Sequence, residues 1–204
     1  MKAREIAGYI LAGGASSRMG RAKALLEIGG EPMILRTARL VESVAVSAAV
    51  IGKFEGYEAL QLSFVDDEWS GTGPLGAIAT ALRKSSAPWN LIVGCDLPYL
   101  TREWLEYVVE RALASQSDAV VPMNVRGAEP MCAAYHKCAE ALLLTAIERG
   151  TRKVTEGLKA LSIEWIEPGD WKRFDSAGVL FKNMNTPEDY QEAKAALEGR
   201  AHSR

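Results

Sequence analysis

Three stretches of the chain place charged side chains where apolar runs end. The first is "YILAGGASSRMGRAKALLEIGGEPMI", Tyr9 to Ile34. Gly13 and Gly14 let the backbone turn tightly and approach a ligand with no Cβ in the way, so that N–H groups can face phosphate oxygens. Arg18 offers a planar fork of donors to phosphate, and Lys23 a mobile point charge. The loop is not a Walker A sequence, because Lys23 is followed by Ala24, and it holds no G-x-G-x-x-G. A surface loop whose glycines only turn the chain is the plainer alternative.

The second stretch is "VDDEWSGTGPLGAI", Val65 to Ile78. Asp66 and Asp67 close an apolar run, and Gly73-Pro74 open a helix whose amide end would point back to the same edge. A carboxylate at this place matches the paired N1–H and N2–H₂ donors of guanine. Equally, both acids could be solvated turn residues. The third stretch is "VGCDLPYL", Val93 to Leu100, in which Asp96 directly follows an apolar run and Pro98 ends the pairing. A lone carboxylate at a strand end suits Mg²⁺, which keeps several waters and takes one or two protein carboxylates plus phosphate oxygens. Each loop alone is ambiguous. Together they describe a phosphate loop, a base-reading acid and a metal-holding acid.

The elements that must position these residues alternate. Apolar runs at Ile6–Ala12, Ala45–Gly52, Leu60–Asp66, Asn90–Asp96 and Asp118–Met123 read as strands. Helical periodicity covers Pro32–Ser43, Pro74–Ser85 and Arg102–Ala114, the last with Leu105, Val108, Val109 and Ala112 on one face. Glu129–Gly150 reads as a strand followed by an amphipathic helix. A final helix has Thr186 as N-cap, Pro187 at its first position and Gly199 as its stop. This rhythm predicts an α/β fold: a single three-layer α/β/α domain with a mostly parallel sheet and helices on both faces. In such folds ligands sit beyond the carboxyl ends of the strands. The whole chain, residues 1–204, reads as one domain, with 6–123 as the nucleotide-binding half and 124–198 as the acceptor half.

Composition narrows the function. The chain carries 24 Lys and Arg against 26 Asp and Glu, a net charge of −2. That balance gives no general electrostatic footprint for nucleic acid or an anionic membrane, so an anionic ligand must meet a local cluster of cations. Cys95, Cys132 and Cys138 are odd in number and lack C-x-x-C spacing, which excludes a disulfide framework or structural zinc as an expectation. The start "MKAREIAGYILAGG" is too short in apolar residues for a signal peptide or a membrane span, so the chain reads as cytoplasmic.

"LAGGASSRMGRAKALLEIGGEPM", "GPLGAI", "CDLPYL" and "NMNTPEDY", in this order, resemble the MobA-type molybdenum cofactor guanylyltransferases over Ile6 to about Glu192. The first motif alone is shared with many nucleotidyltransferases of the glycosyltransferase-A-like fold. The resemblance implies the Rossmann-like architecture of the nucleotide-diphospho-sugar transferases and the joining of GMP from GTP to the terminal phosphate of molybdopterin, with release of pyrophosphate. It implies Mg²⁺ as cofactor, and GTP and molybdopterin as ligands. Molybdenum cofactor delivery proteins are candidate partners, and neither nucleic acid nor membrane is expected.

Carried over residue by residue, Leu11, Ala12 and Gly13 would bind the guanine nucleotide and Lys23 its phosphates. Asp66 would meet the guanosine portion, and Asp96 the nucleotide and Mg²⁺. Asn183 and Asn185 would line the pterin side, and Arg152 and Lys153 of "GTRKV" would hold the pterin phosphate or simply start a helix. Arg18, Lys23 and Asp96 are the expected catalytic set. Where the family often has a polar nucleotide contact after its second strand, this chain has Ile51 or Gly52. The spacing to Gly73-Pro74 favours Asp66 over Asp67 by one residue only. The rival readings are a CTP-dependent pterin enzyme or another small-molecule nucleotidyltransferase, and, from a different class, a nucleotide-binding regulatory module without turnover.

Overall fold

Ile6–Leu11 forms strand β1, buried at all six positions. Burial without alternation requires cover on both faces of the sheet. Ile6 and Ile10 pack into one apolar cluster, while Ala7, Tyr9 and Leu11 pack into another. Strand β6, Trp89–Gly94, divides the same way: Trp89, Leu91 and Val93 face the first cluster and Ile92 the second. The computed structural model describes residues 6–12, 23–52, 57, 60–175 and 177–201.

Among the described residues the sheet runs β10 (Ile163–Ile166), β7 (Ala119–Asn124), β9 (Cys132–His136), β6, β1, β4 (Ala48–Ile51), β5 (Phe64–Val65), with β8 (Gly127–Ala128) paired to β7. β1 is parallel to β4 and β6, β4 to β5, and β10 to β7. β9 lies antiparallel between β6 and β7, and β8 is antiparallel to β7. The expected mostly parallel sheet is present. The reversal of β9 brings the residues before it, Glu129–Met131, to the edge where β1 and β6 end.

Helices cover both faces. α1 (Met33–Glu42), α3 (Arg102–Ala114), α6 (Pro168–Trp171, through Trp171) and α7 (Pro187–Ala201) contribute to the first cluster. α2 (Pro74–Lys84), α4 (Ala139–Glu148) and α5 (Val154–Gly157) contribute to the second. α3 starts at an N-cap, Thr101, whose Oγ1 accepts from the Trp104 amide at 3.3 Å. The α/β/α layering therefore follows from the two-sided burial of β1 and β6.

Some boundaries differ from the sequence expectation. The second strand starts at Ala48 rather than Ala45, because the Val44 and Ala45 amides both donate to the Val41 carbonyl and extend the turn that ends α1. The third shrinks from Leu60–Asp66 to Phe64–Val65, preceded by Gln61 at φ +51°. β6 ends at Gly94, so Cys95 and Asp96 form the turn after it. Gly199 does not stop the last helix, which continues to Ala201. A glycine stop needs the left-handed conformation, and Gly199 is not among the positive-φ residues. A hairpin of β2 (Glu27–Ile28) and β3 (Glu31–Pro32) was not foreseen.

Candidate functional site

The Asp96 turn is held by backbone bonds from three neighbours. The Cys95 amide donates to the Leu11 carbonyl at 3.0 Å, the Gly94 amide to the Met131 carbonyl at 2.7 Å, and the Met184 amide to the Asp96 carbonyl at 2.8 Å. The ends of β1, β6 and β9 and the segment before α7 are thus tied at one point. Gly94 is a close approach: a Cβ there would lie 2.9 Å from Asp96 Oδ1. Burial pushes the Asp96 carboxyl above the ordinary carboxylate range, and its own backbone N–H and the charge of Lys23 draw it partly back. A carboxylate partly stripped of water in this way gains from a cation.

Lys23 begins a single 3-10 turn, Lys23–Leu25, and its Nζ donates to Asn185 Oδ1 at 2.9 Å. Asn185 stands on a capped helix start. Its amide and that of Thr186 both donate to Asp189 Oδ2 at 2.9 Å, and the Asp189 amide returns a bond to Thr186 Oγ1 at 3.2 Å. This reciprocal cap is the one expected at Thr186, and it holds the Asp189 carboxyl below its usual range through the Asn185 amide first. Asn183, half-buried, precedes Met184 in the same segment. The structure therefore brings Lys23, Asp96 and Asn185 together from three distant parts of the chain.

Asp66 and Asp67 separate. Asp67 Oδ1 accepts from the Trp69 amide at 3.1 Å and from Thr80 Oγ1 at 3.0 Å, so it braces the loop against α2. Asp66 is exposed at the carboxyl end of β5. Three strand spacings separate β5 from β6, about 14 Å across the sheet edge, with the end of β1 between. α2 opens as expected, with Gly73 as N-cap at φ +68° and Pro74 in its first turn. A Cβ on Gly73 would lie 4.0 Å from the Arg152 carbonyl, so the basic turn around Arg152 flanks this loop. Gly71, Gly73 and Gly76 also have the spacing of a dinucleotide fingerprint. The strand before them ends at Val65, well short of the first glycine, so the required strand-to-helix turn is absent.

Sequence reasoning missed Glu129. Burial raises its carboxyl to about 7; the Asn124 side chain and Arg126 lower it, and the charge of Asp96 raises it further. Asn124 donates its side-chain amide to Glu129 and accepts from the Arg126 amide at 2.6 Å, which fixes the donor in place. The only signal was an acid just before the apolar run "PMCAAY". Leu11 ends β1 buried and Ala12 packs beside the first cluster. Gly13, Gly14 and Arg18 lie outside the described residues. At the position of the family's polar contact, Ile51 is buried and the Gly52 amide donates to the Val65 carbonyl at 2.9 Å.

The donor set fits Mg²⁺: a desolvated carboxylate at Asp96 and a second held near it at Glu129 are hard oxygen ligands. Among the described residues no group of three or more His, Cys, Asp or Glu side chains could hold a metal. A cation at Asp96 would complete its shell with substrate oxygens and water. His136 lies at the far end of β9, in contact with Trp89 at the start of β6, on the edge opposite Asp96. Cys95 and Cys132 are buried, each with its thiol pushed up to about 12 by burial.

Residues 8–162 match the MobA-like NTP transferase domain family. The chain is 32% identical over 192 residues to a probable molybdenum cofactor guanylyltransferase of Pelotomaculum thermopropionicum, covering 94% of this chain and 93% of that one. A protein of the same description from Bacillus cereus (strain AH187) is 31% identical over 198 residues, 94% of this chain and 96% of the other. Among solved structures, molybdopterin-guanine dinucleotide biosynthesis protein A from Archaeoglobus fulgidus superposes with a TM-score of 0.81 at 25% identity, covering 93% of this chain and 97% of that one. A 2-C-methyl-D-erythritol 4-phosphate cytidylyltransferase from Thermus thermophilus shares the fold, with a TM-score of 0.66 at 16% identity over 95% and 98% of the two chains.

Proposed function

The chain belongs to the MobA-like NTP transferase family, and from that premise we propose that it transfers GMP from GTP to the terminal phosphate of molybdopterin. The products are molybdopterin guanine dinucleotide and pyrophosphate. The observation that carries the reading is the convergence of Lys23, Asp96 and Asn185 at the carboxyl edge of the sheet, with the Lys23 ammonium acting on both other side chains. The relatives' names support the same chemistry.

An oxygen of the molybdopterin phosphate attacks the α-phosphorus of GTP in line. The new P–O bond forms as the bond to the β-phosphate oxygen breaks, and its electron pair leaves with pyrophosphate. The attacking oxygen is already anionic at neutral pH, so no side chain has to remove a proton. Catalysis then rests on positioning and charge neutralisation. Lys23, with Arg18, offsets charge on the departing pyrophosphate. Asp96 would hold Mg²⁺, whose contribution when bound would be to neutralise charge on phosphate oxygens. Asp66, rather than the already engaged Asp67, accepts from the N1–H and N2–H₂ of guanine. Asn183 and Asn185, with Arg152 and Lys153 on the flanking turn, meet the pterin substrate.

Calorimetry with Mg²⁺ and, separately, GTP, CTP and ATP tests the nucleotide half of this reading. GTP is expected to bind at least tenfold more tightly than the other two, the scale of one lost base contact. A preference for CTP would move the activity to the cytidylyl relatives, and no nucleotide binding would leave a fold without this function.

A further inference from the structure

We propose that Asn185 serves the nucleotide half of the reaction as a positioning residue, by fixing the ammonium of Lys23 beside Asp96. The inference rests on the reading of Lys23 as the phosphate-binding cation. A lysine side chain has a flexible four-carbon stem and loses rotamer entropy when it is fixed. A cation that must meet a phosphate in one place therefore works better if something else in the fold already holds it. Here the holder is the Asn185 side chain. Lysine only donates, so the amide presents Oδ1 to Nζ, at 2.9 Å across 162 residues of sequence.

Asn185 is itself rigidly placed. Asp189 Oδ2 accepts from its amide and from the next one, at the capped start of α7. One residue earlier, the Met184 amide bonds the Asp96 carbonyl at 2.8 Å. A segment of two residues thus bonds the backbone of the carboxylate turn and the head of the lysine. The placing of the cation beside the carboxylate depends on this segment as well as on the Lys23–Leu25 turn. In the family resemblance Asn185 faces the pterin. The geometry gives it a task that precedes the arrival of any acceptor.

The two roles separate in binding experiments without turnover. GTP affinity is measured by calorimetry for the wild type, Asn185→Ala, Lys23→Ala and the double variant, in the absence of molybdopterin. The expected result is a loss of about three- to tenfold in GTP affinity for Asn185→Ala, the range of one hydrogen bond. No further loss is expected when Asn185→Ala is added to Lys23→Ala, because the effect runs through the ammonium. Asn185 is exposed, so the variants should melt with the wild type, and a melting curve for each checks this. An unchanged GTP affinity in Asn185→Ala would overturn the proposal and leave Asn185 as an acceptor contact. Equal losses in the presence and absence of Lys23 would overturn it too. Failure of the wild type to bind GTP would instead remove the nucleotide reading on which it stands.

Discussion

Replacing Glu129 with glutamine should change stability in a pH-dependent way, and the sign can be worked out. An unfolded glutamate titrates near its ordinary value, about 4.3, whereas the native Glu129 carboxyl is raised to about 7, chiefly by burial. Between those values the native protein keeps a proton that the unfolded chain has lost, so stability falls as the pH rises through this window. Above 7 the folded state carries a half-buried carboxylate facing Asp96, with Arg126 and the Asn124 amide offsetting part of the cost.

Full conversion at about 1.4 kcal/mol per pH unit would give more than about 3 kcal/mol. The side chain is only half-buried, and solvent screening reduces this to about 1–2 kcal/mol. A glutamine in this place can still accept from Asn124 but never ionises. Glu129→Gln is therefore expected to melt within about 1–2 °C of the wild type at pH 5 and about 3–6 °C above it at pH 8, in chelator-containing buffer. An equal loss at both pH values would mean that the carboxylate is needed for structure. The same melting difference at pH 5 and pH 8 would refute the claim that burial and Asp96 destabilise its charge.

Asp96→Ala is expected to lower turnover about a hundredfold or more, the scale of losing one charge-stabilising group, while a near wild-type rate would remove Asp96 from the chemistry. Asp66→Asn should relax selection for GTP over ATP by about 1–3 kcal/mol per lost bond; selectivity that survives in competition binding would place base reading elsewhere. Thr80→Val removes the hydroxyl that donates to Asp67 and accepts from the Glu68 amide. It should cost about 1–2 kcal/mol of stability and leave GTP selectivity intact; a fall in selectivity would return Asp67 to the site. Gly94→Ala should displace the Asp96 carboxylate, given the 2.9 Å a Cβ would leave, and lower kcat more than it raises the KM for GTP.

Elements with two-sided burial or a clear amphipathic face could be read from the sequence. β1, β6, α2 and α3 carry that pattern over six or more residues, and Thr186 announces its helix through its cap. β2, β3, β5 and β8 are two residues each, too short to show a period. Asp96 and Lys23 could be picked out because glycines and strand ends surround them. Glu129 could not, because its approach to Asp96 depends on β9 running backwards between β6 and β7. Nor could the difference between Asp66 and Asp67, which rests on Thr80, a polar residue hidden in the apolar run of α2. The Lys23–Asn185 bond spans most of the chain, and no local pattern encodes it.

Incubating the purified protein with GTP, Mg²⁺ and molybdopterin, following pyrophosphate release and identifying the pterin product by mass, tests the guanylyl transfer itself. Stoichiometric pyrophosphate and molybdopterin guanine dinucleotide are the expected products, with both lost in Asp96→Ala. Pyrophosphate released only with CTP, or GTP bound but never transferred under these conditions, would contradict the guanylyltransferase assignment.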